Sequence, residues 1–351
     1  MAPDEKLFLL ALNRVSFLKP KEKLLLAEIY SSLGWFLSLS RGDLEAILGR
    51  KIKSSRWQPA EYLELAQTDQ NYLTAGPINC TFYWDKAFPP LLREIYDPPV
   101  LLFYRGRLAD YTKPLVAVVG TRRPTGAARS AAYSLSLELA QAGIGTVSGL
   151  ARGIDSEAHR GSLDAGGTTV AVLGNGIDTL FPRSSSAVGR RILKQGGLIV
   201  SEYPPGTPPA AYNFPARNRI ISGLARTIVV VQAPWRSGAL ITAEFALQQG
   251  RDLVVHRAGL SGQASGGAQK LQLDGAPVVS RALDILESWN WTSCKAGAGS
   301  AESVIADALA PGGGEGSKRL DTAERLVRLM ELELAQKGRR HNGDFYIKEH
   351  S

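Results

Sequence analysis

The stretch Leu115-Val-Ala-Val-Val-Gly-Thr-Arg-Arg-Pro-Thr-Gly126 joins five apolar residues directly to a loop of glycine, arginine and threonine. A helical pattern follows over residues 127–142, with Thr125 placed to cap its start and Gly143 to end it. A continuously apolar strand, a tight polar loop and a helix form the first half of a βαβ unit. The stretch therefore predicts a parallel sheet that is covered by helices.

The same rhythm repeats through the middle of the chain. Short β-rich runs end at Val119, Val147, Leu173, Val200, Val231, Val255 and Val279. Helical patterns fill most of the gaps between them, including residues 155–165 and 239–249. Because crossovers between parallel strands are right-handed, this pattern predicts a doubly wound, Rossmann-like α/β fold over residues 113–290.

The flanks of this domain have other patterns. Residues 1–75 predict a small helical N-terminal domain, and residues 76–112, which contain five prolines, predict an irregular connector. The short amphipathic helices of the N-terminal domain are predicted at residues 7–15, 21–33, 37–48 and 60–66. Residues 291–318 are rich in Gly, Ala and Ser and predict a flexible linker.

The last residues, 319–351, predict a shortened, partial winged-helix-like tail. It would contain a helix at residues 322–334, a basic turn at Arg339 and Arg340, and a strand that includes Phe345 and Tyr346. The basic turn has two interpretations that stay open, a second DNA contact or a solvated tip.

The composition narrows the class of protein. The chain has 351 residues, 44% of them hydrophobic, with 41 Lys and Arg against 33 Asp and Glu and a net charge of +8. No apolar run approaches the ~20 residues of a membrane span, and acidic residues stand where a secretory signal would be positive. Two cysteines make neither a disulfide framework nor a zinc site. We expect a soluble cytoplasmic protein, and the excess of positive charge favours a polyanionic partner.

Several enzyme signatures are absent from the sequence. It contains no P-loop, no H-E-x-x-H and no G-x-S-x-G, and the first strand is not followed by G-x-G-x-x-G. Asp155, Glu157 and His159 come nearest to a metal cluster, but Glu157 points away from the helix face that Asp155 and His159 share. We predict that Asp155 caps the helix and that His159 packs nearby. The sequence thus predicts no metal, no cofactor and no catalytic residues.

The loops at the carboxyl ends of the strands favour a phosphate-binding surface. Residues 114–286 contain 15 Arg and 2 Lys against 10 acidic residues. Glycine lets backbone N–H groups approach an anion, and Arg makes bidentate contacts with phosphate. Aromatic residues stand among the loop arginines, a combination typical of single-stranded nucleic-acid binding. The alternative is that individual arginines are structural and pair with loop carboxylates such as Asp178 and Glu202.

Five ordered motifs within about 130 residues resemble the DprA/Smf family of DNA-processing proteins. They are Ser148-Gly-Leu-Ala-Arg-Gly-Ile-Asp155, Ala171-Val-Leu-Gly-Asn-Gly-Ile-Asp178, Ser201-Glu-Tyr-Pro-Pro-Gly206, Phe214-Pro-Ala-Arg-Asn-Arg-Ile-Ile221 and Gly238-Ala-Leu-Ile-Thr-Ala243. The resemblance implies a non-enzymatic protein that binds and protects single-stranded DNA during natural transformation. It also implies loading of the RecA recombinase onto DNA coated with single-strand-binding protein, and a homodimer.

Carried onto this chain, the resemblance makes Arg122 the first candidate for a phosphate contact, and Arg217, Asn218 and Arg219 form the next strongest patch. Phe214 is a candidate for base stacking and Arg183 for a backbone contact. The complete set of predicted DNA-binding residues is Gly120, Arg122, Arg123, Thr125, Gly126, Arg152, Arg183, Phe214, Arg217, Asn218 and Arg219.

The chain also departs from the family pattern. Gln232 stands where the family usually has an acidic residue, and Arg257-Ala-Gly259 replaces its usual Pro-Gly. The later Gly-x-Asn element appears as Gly267-Ala-Gln269. No residue of the 256–270 loop is therefore included in the predicted site.

Two alternative functions stay open. One is a nucleotide-binding enzyme similar to LOG-type phosphoribohydrolases, which release a base from a nucleoside monophosphate. Glu244 is present, but the double glycine and the Gly-Thr pair of their P-G-G-x-G-T-x-x-E block are missing. The other is an adaptor whose tail or N-terminal helices bind a protein; deleting residues 295–351 would then abolish partner binding and leave DNA binding intact.

Overall fold

A computed structural model describes residues 2–30, 32–52, 57–108, 113–290, 338–341 and 344–347. The chain divides into two compact units, Met1–Cys294 and Lys295–Ser351. No helix in the described part of the chain is long and apolar enough to cross a membrane.

The first unit is built on one mixed sheet. Two antiparallel strands lie at one edge, β1 (Asn79–Phe82) and β2 (Leu101–Gly106). On its other side, β2 pairs antiparallel with β6 (Leu198–Ser201), which belongs to the parallel part of the sheet. The parallel strands are β3 (Leu115–Val119), β4 (Gly145–Ser148), β5 (Thr169–Val172), β6 (Leu198–Ser201), β7 (Thr227–Val230), β8 (Asp252–His256) and β9 (Val278–Val279).

The strand order is β1-β2-β6-β5-β4-β3-β7-β8-β9. From β3 the chain winds outward to β6 and then returns to add β7 on the other side of β3, so the direction reverses between β3 and β7. Ala117 of β3 pairs with Val147 of β4 on one side and with Ile228 of β7 on the other. The predicted doubly wound α/β fold is confirmed, and ligands in such folds bind at this switch point.

Residues 76–112 differ from the sequence-based prediction. We expected an irregular connector because of its prolines, but β1 and β2 lie there and extend the sheet. Pro89 and Pro90 lie in the segment that connects the two strands, and Pro98 and Pro99 lie at the end of the same segment, just before β2. These four prolines therefore lie between the strands and do not interrupt a ladder.

Thirteen helices are described in the first unit. They are α1 (Pro3–Arg14), α2 (Pro20–Ile29), α3 (Leu33–Ser38), α4 (Arg41–Leu48), α5 (Pro59–Ala75), α6 (Pro90–Arg93), α7 (Gly126–Gln141), α8 (Ile154–Asp164), α9 (Ser186–Lys194), α10 (Asn213–Leu224), α11 (Gly238–Gln248), α12 (Gly266–Leu273) and α13 (Ala282–Ser288). Val116 and Val118 of β3 pack in the cluster with α7, α8 and α13, whereas Ala117 and Val119 pack in the cluster with α10 and α11. Alternate residues of the strand thus serve opposite faces, which is why β3 is apolar throughout.

The N-terminal helices partly match the prediction. The prediction of one continuous helix at residues 37–48 is wrong, because α3 ends at Ser38 and a new helix, α4, begins at Arg41. The Ser40 hydroxyl accepts from the Asp43 backbone N–H, and the Asp43 carboxylate accepts from the Ser40 backbone N–H. This capping box starts a separate helix. The helix predicted at 21–33 ends earlier, at Ile29, and that predicted at 60–66 extends to Ala75.

In the second unit, β10 (Gly338–His341) and β11 (Asp344–Ile347) form an antiparallel pair with Arg340 opposite Phe345. Arg339 and Arg340 therefore lie on a strand, and the prediction of a basic turn at these residues is wrong. The predicted linker at 291–318 and the predicted helix at 322–334 lie outside the described residues. The domain boundaries drawn from the sequence stay predictions.

Candidate nucleic-acid interface

An open cleft of ≈ 870 Å³ lies at the carboxyl ends of the strands, beside the switch point. It is lined by the loops that follow β3, β4 and β7, and by the first residues of α10 and α11. Since β3 and β7 are neighbours in the sheet, their loops diverge to opposite faces and leave a crevice between them.

The loop after β3 is held at both ends by Gln232, which follows β7. The Gln232 backbone carbonyl accepts from the Thr121 N–H at 2.8 Å, and its side-chain Oε1 accepts from the Thr125 N–H at 2.9 Å. The position of Gly120 has no room for a side chain, because a Cβ there would lie only 2.6 Å from Ile154 Cγ1. The Thr125 hydroxyl accepts from the Ala128 N–H and caps α7 as predicted. In the sequence Gln232 stands out only as a departure from the family pattern, and no local signal predicts its role as an anchor.

Four of the predicted arginines have exposed side chains: Arg122, Arg123, Arg152 and Arg183, here called the rim arginines. Within the described residues, none of the four forms a salt bridge with an Asp or Glu. Their charge is therefore available to a ligand. Predicted Gly126 is also exposed, as the first residue of α7.

A smaller cavity of ≈ 310 Å³ adjoins the cleft, and Arg122, Arg152 and Arg183 line it. Phe181 and Phe214 form its apolar wall, with their rings stacked at a centroid distance of 5.8 Å. The Arg122 guanidinium lies 5.8 Å from the centroid of the Phe214 ring, within the range of a cation–π contact. The predicted Phe214 and Arg183 are thus brought together with Arg122, beside a ring surface on which a base could stack.

Arg217 lines the floor of both the cleft and the smaller cavity but is only 5% exposed. Its Nη1 donates to the backbone carbonyls of Gly149, at 3.0 Å, and Val172, and its Nε donates to Asn218 Oδ1. Burial lowers the pKa of the Arg217 guanidinium to about 10, against the opposing effect of Asp155. Most of its donors are therefore committed to the protein itself.

Asn218 and Arg219 are also buried. Asn218 donates to the Gly238 carbonyl at 3.0 Å and so ties α10 to the start of α11. Arg219 binds both carboxylate oxygens of Glu202, at 2.6 and 2.9 Å. For Arg219 the alternative of a structural arginine paired with a loop carboxylate is therefore confirmed. DNA contact by Arg217, Asn218 and Arg219 stays a prediction, and their geometry favours a supporting role.

Asp155 and His159 also belong to the buried layer under the cleft. Asp155 accepts from the N–H groups of Gly149 and Ala151, in the loop before α8, while Gly153 holds the cap position. The prediction that Asp155 caps the helix is therefore wrong, although its role is structural. Burial raises the pKa of Asp155, and Arg217 opposes that rise.

His159 is fully buried, with Nδ1 2.7 Å from the Thr169 hydroxyl, as expected of a packed histidine. Burial lowers its pKa to about 3, and the positive charge of Arg217 adds to the effect. In the part of the chain that the structure describes, no three His, Cys, Asp or Glu side chains form a group that would hold a metal ion.

A doubly wound sheet with an arginine-rimmed cleft at its switch point is typical of α/β proteins that bind phosphate-bearing ligands. A family model described as DNA recombination-mediator protein A matches residues 79–290, more than half of the chain. The chain belongs to this family, and the resemblance to DprA/Smf proteins is confirmed.

Two curated relatives illustrate the match. The chain is 41% identical over 257 residues to the DNA processing protein DprA of Streptococcus pneumoniae, covering 71% of this chain and 87% of that protein. It is 42% identical over 201 residues to protein Smf of Escherichia coli, covering 57% of this chain and 54% of that protein. The match thus spans about half the length of the E. coli protein.

Solved structures of the same family share the fold. The crystal structure of DprA from S. pneumoniae has a TM-score of 0.64 at 34% identity and covers 79% of this chain and 95% of that one. DprA from Helicobacter pylori, whose structure concerns a single-stranded DNA binding mode, has a TM-score of 0.54 at 29% identity. It covers 62% of this chain and 97% of that one.

Proposed function

We propose that this chain binds single-stranded DNA in the cleft and acts by binding, without catalysing a reaction. The observation that carries the proposal is the set of four exposed rim arginines without carboxylate partners in the described residues, beside the stacked rings of Phe181 and Phe214. Arginines would hold phosphates, and a ring would stack on a base, which is how proteins bind single strands without sequence preference.

The surroundings of the cleft support an anionic ligand. Among the described residues that line it, Asp155 is the one acidic residue, and it is buried with two backbone N–H donors and Arg217 nearby. The N-terminal end of α11 adjoins the cleft, because Gly238 lines it, and adds partial positive charge. The single-stranded DNA binding described for the H. pylori relative supports the same ligand here.

The wider role follows from family membership. We infer that the protein protects single strands in the cytoplasm during DNA uptake or recombination. It would act as a homodimer and help load the RecA recombinase onto DNA coated with single-strand-binding protein. The phosphoribohydrolase alternative has no comparable support, because Glu244 is exposed on α11 without the glycine-rich block that such enzymes carry.

The first test is the affinity for a labelled oligonucleotide, measured by fluorescence anisotropy over a salt series, single strand against duplex. We expect a preference for the single strand and a steep salt dependence. Replacing Arg122→Ala should weaken binding roughly tenfold, as expected for loss of a charge-assisted contact. It should also reduce the salt slope by about 0.7, the value for one phosphate on a single strand.

The matched control is Arg190→Ala, since Arg190 is exposed on α9 and lines neither cavity. It should leave binding unchanged. Equal affinity of the Arg122 variant and the unaltered protein would contradict the proposal, as would a loss confined to particular base sequences.

A further inference from the structure

The loop after β7 brings an exposed tryptophan to the rim of the cleft. Pro234 and Ser237 line the cleft, and between them Trp235 is 64% exposed. Arg236, also exposed, adopts φ +58°, a left-handed conformation that is uncommon for a side chain of this size. A residue is kept in such a conformation where the surrounding structure determines it, often at a binding site.

The indole of Trp235 is held in place by the start of α12. A Cβ on Gly266 would lie 2.2 Å from indole Nε1 and 2.6 Å from Cδ1, so the five-membered ring rests against this glycine. The Gly267 and Ala268 N–H groups both donate to the Ala233 carbonyl, at 2.8 and 3.1 Å, and fix the loop on the same helix. The ring is therefore supported on one side and open to solvent over most of its surface.

The position of the ring also connects it to the cleft. Ala264, two residues before Gly266, lines the cleft, and a Cβ on Gly262 would lie 3.6 Å from the Thr125 side chain. The rim that carries Trp235 thus lies beside the loop that carries Arg122 and Arg123. A strand whose phosphates follow these arginines would pass this rim.

We propose that Trp235 is a stacking platform for a base of single-stranded DNA that leaves the cleft, so that the binding path extends beyond the cleft itself. The inference rests on the proposed function and adds a second stacking position to that of Phe214. Every base has a π-face, so a fixed ring adds affinity without sequence preference. A ring that is already held loses little freedom when a base stacks on it.

The test compares Trp235→Ala with Trp235→Phe on two strands of about 15 nucleotides, within the usual size of such sites. One strand is oligothymidine, and the other has the same phosphates with abasic sugars. The alanine variant should bind oligothymidine roughly fivefold more weakly, as expected for loss of one stacked base. It should bind the abasic strand as the unaltered protein does, and phenylalanine should restore most of the loss.

The matched control is Trp35→Ala, since Trp35 is 60% exposed on α3 and lines neither cavity. It should not change affinity for either strand. An equal loss on both strands by the Trp235→Ala variant would overturn the inference, because the ring would then act through the fold or the phosphates. So would unchanged DNA binding together with loss of self-association, which would assign the ring to contact with a second copy of the chain.

The two proposals fail in different ways. If the unaltered protein binds no single strand, the proposed function fails and this inference fails with it. If Arg122→Ala weakens binding and Trp235→Ala does not, only the stacking platform is overturned.

Discussion

The rim arginines and the buried arginines of α10 occupy neighbouring parts of one site but have different surroundings. Arg122, Arg123, Arg152 and Arg183 are exposed and have no carboxylate partner in the described residues. Arg217 and Arg219 are at most 6% exposed and are bound to backbone carbonyls or to Glu202. Net charge alone does not distinguish the two groups. The partners of the side chains distinguish them. This difference predicts that the rim arginines bind the ligand and that the buried arginines stabilise the fold.

The energetics of the two groups should differ accordingly. An exposed cation without a partner contributes little to folding, because water solvates it well. A buried cation depends on its partners, and removing it leaves carbonyls and carboxylates without a compensating charge. Substitutions in the two groups should therefore have different effects on the free energy of unfolding.

The largest expected effect is on stability, from Arg217→Leu. Losing this guanidinium leaves the carbonyls of Gly149 and Val172 without their donor and Asp155 without a neighbouring positive charge. We expect the free energy of unfolding to fall by about 3–5 kcal/mol, the usual cost of breaking a buried pair. Chemical denaturation measures it.

Arg122→Ala is the matched control from the rim and should change the free energy of unfolding by less than about 0.5 kcal/mol. Similar losses of unfolding free energy in the two variants would contradict this prediction, because exposure would then not distinguish a ligand-facing arginine from a structural one.

The second prediction concerns pH and the buried layer. His159 has a pKa of about 3 in the folded protein, well below its ordinary 6.5. The unfolded chain therefore gains a proton below pH 6.5 that the folded protein does not bind, and stability falls as the pH falls. For one proton the loss is about 1.4 kcal/mol per pH unit, or roughly 2 kcal/mol between pH 6.5 and 5.

The difference between the unaltered protein and His159→Gln isolates this contribution, since His256 also has a lowered pKa and shifts stability in the same direction. Denaturation at pH 7, 6 and 5 should give a shallower pH dependence for the variant. Parallel curves would contradict this prediction, because they would mean that the pKa of His159 in the folded protein is close to its ordinary value.

The sequence predicts much of the fold because the relevant signals are local. Five apolar residues before Gly120 mark β3, and Thr125 caps α7 as its position predicts. The antiparallel pairing of β1 and β2 is not a local property. The prolines near these strands are as consistent with an irregular connector as with a pair of strands. Strand pairing depends on the partner across the sheet, which only the tertiary structure supplies.

The candidate site likewise contains some features that the local sequence predicts and others that depend on the tertiary structure. Arg122 follows a strand directly, so its place in a loop at the sheet edge could be predicted. Arg217 lies three, four and seven residues before Ile220, Ile221 and Leu224, the spacing of one helix face. That periodicity is a sequence signal that Arg217 faces the core. Its carbonyl partners lie 45 and 68 residues away, at the end of β5 and in the loop after β4, and no local pattern identifies them.

The smallest expected effect comes from Gln232→Glu, which tests whether the rim depends on charge as well as on shape. Glu retains an oxygen that accepts from the Thr125 N–H, so the loop between Thr121 and Thr125 should keep its conformation. It adds a negative charge against the loop that carries Arg122 and Arg123, so the affinity for single-stranded DNA should fall roughly threefold by Coulomb attraction between the new carboxylate and these arginines. In an Arg122→Ala background the same change should cost less, because part of its effect acts through Arg122. Anisotropy titrations of the four proteins measure this coupling, and an equal cost in both backgrounds would mean that Gln232 acts on the loop alone.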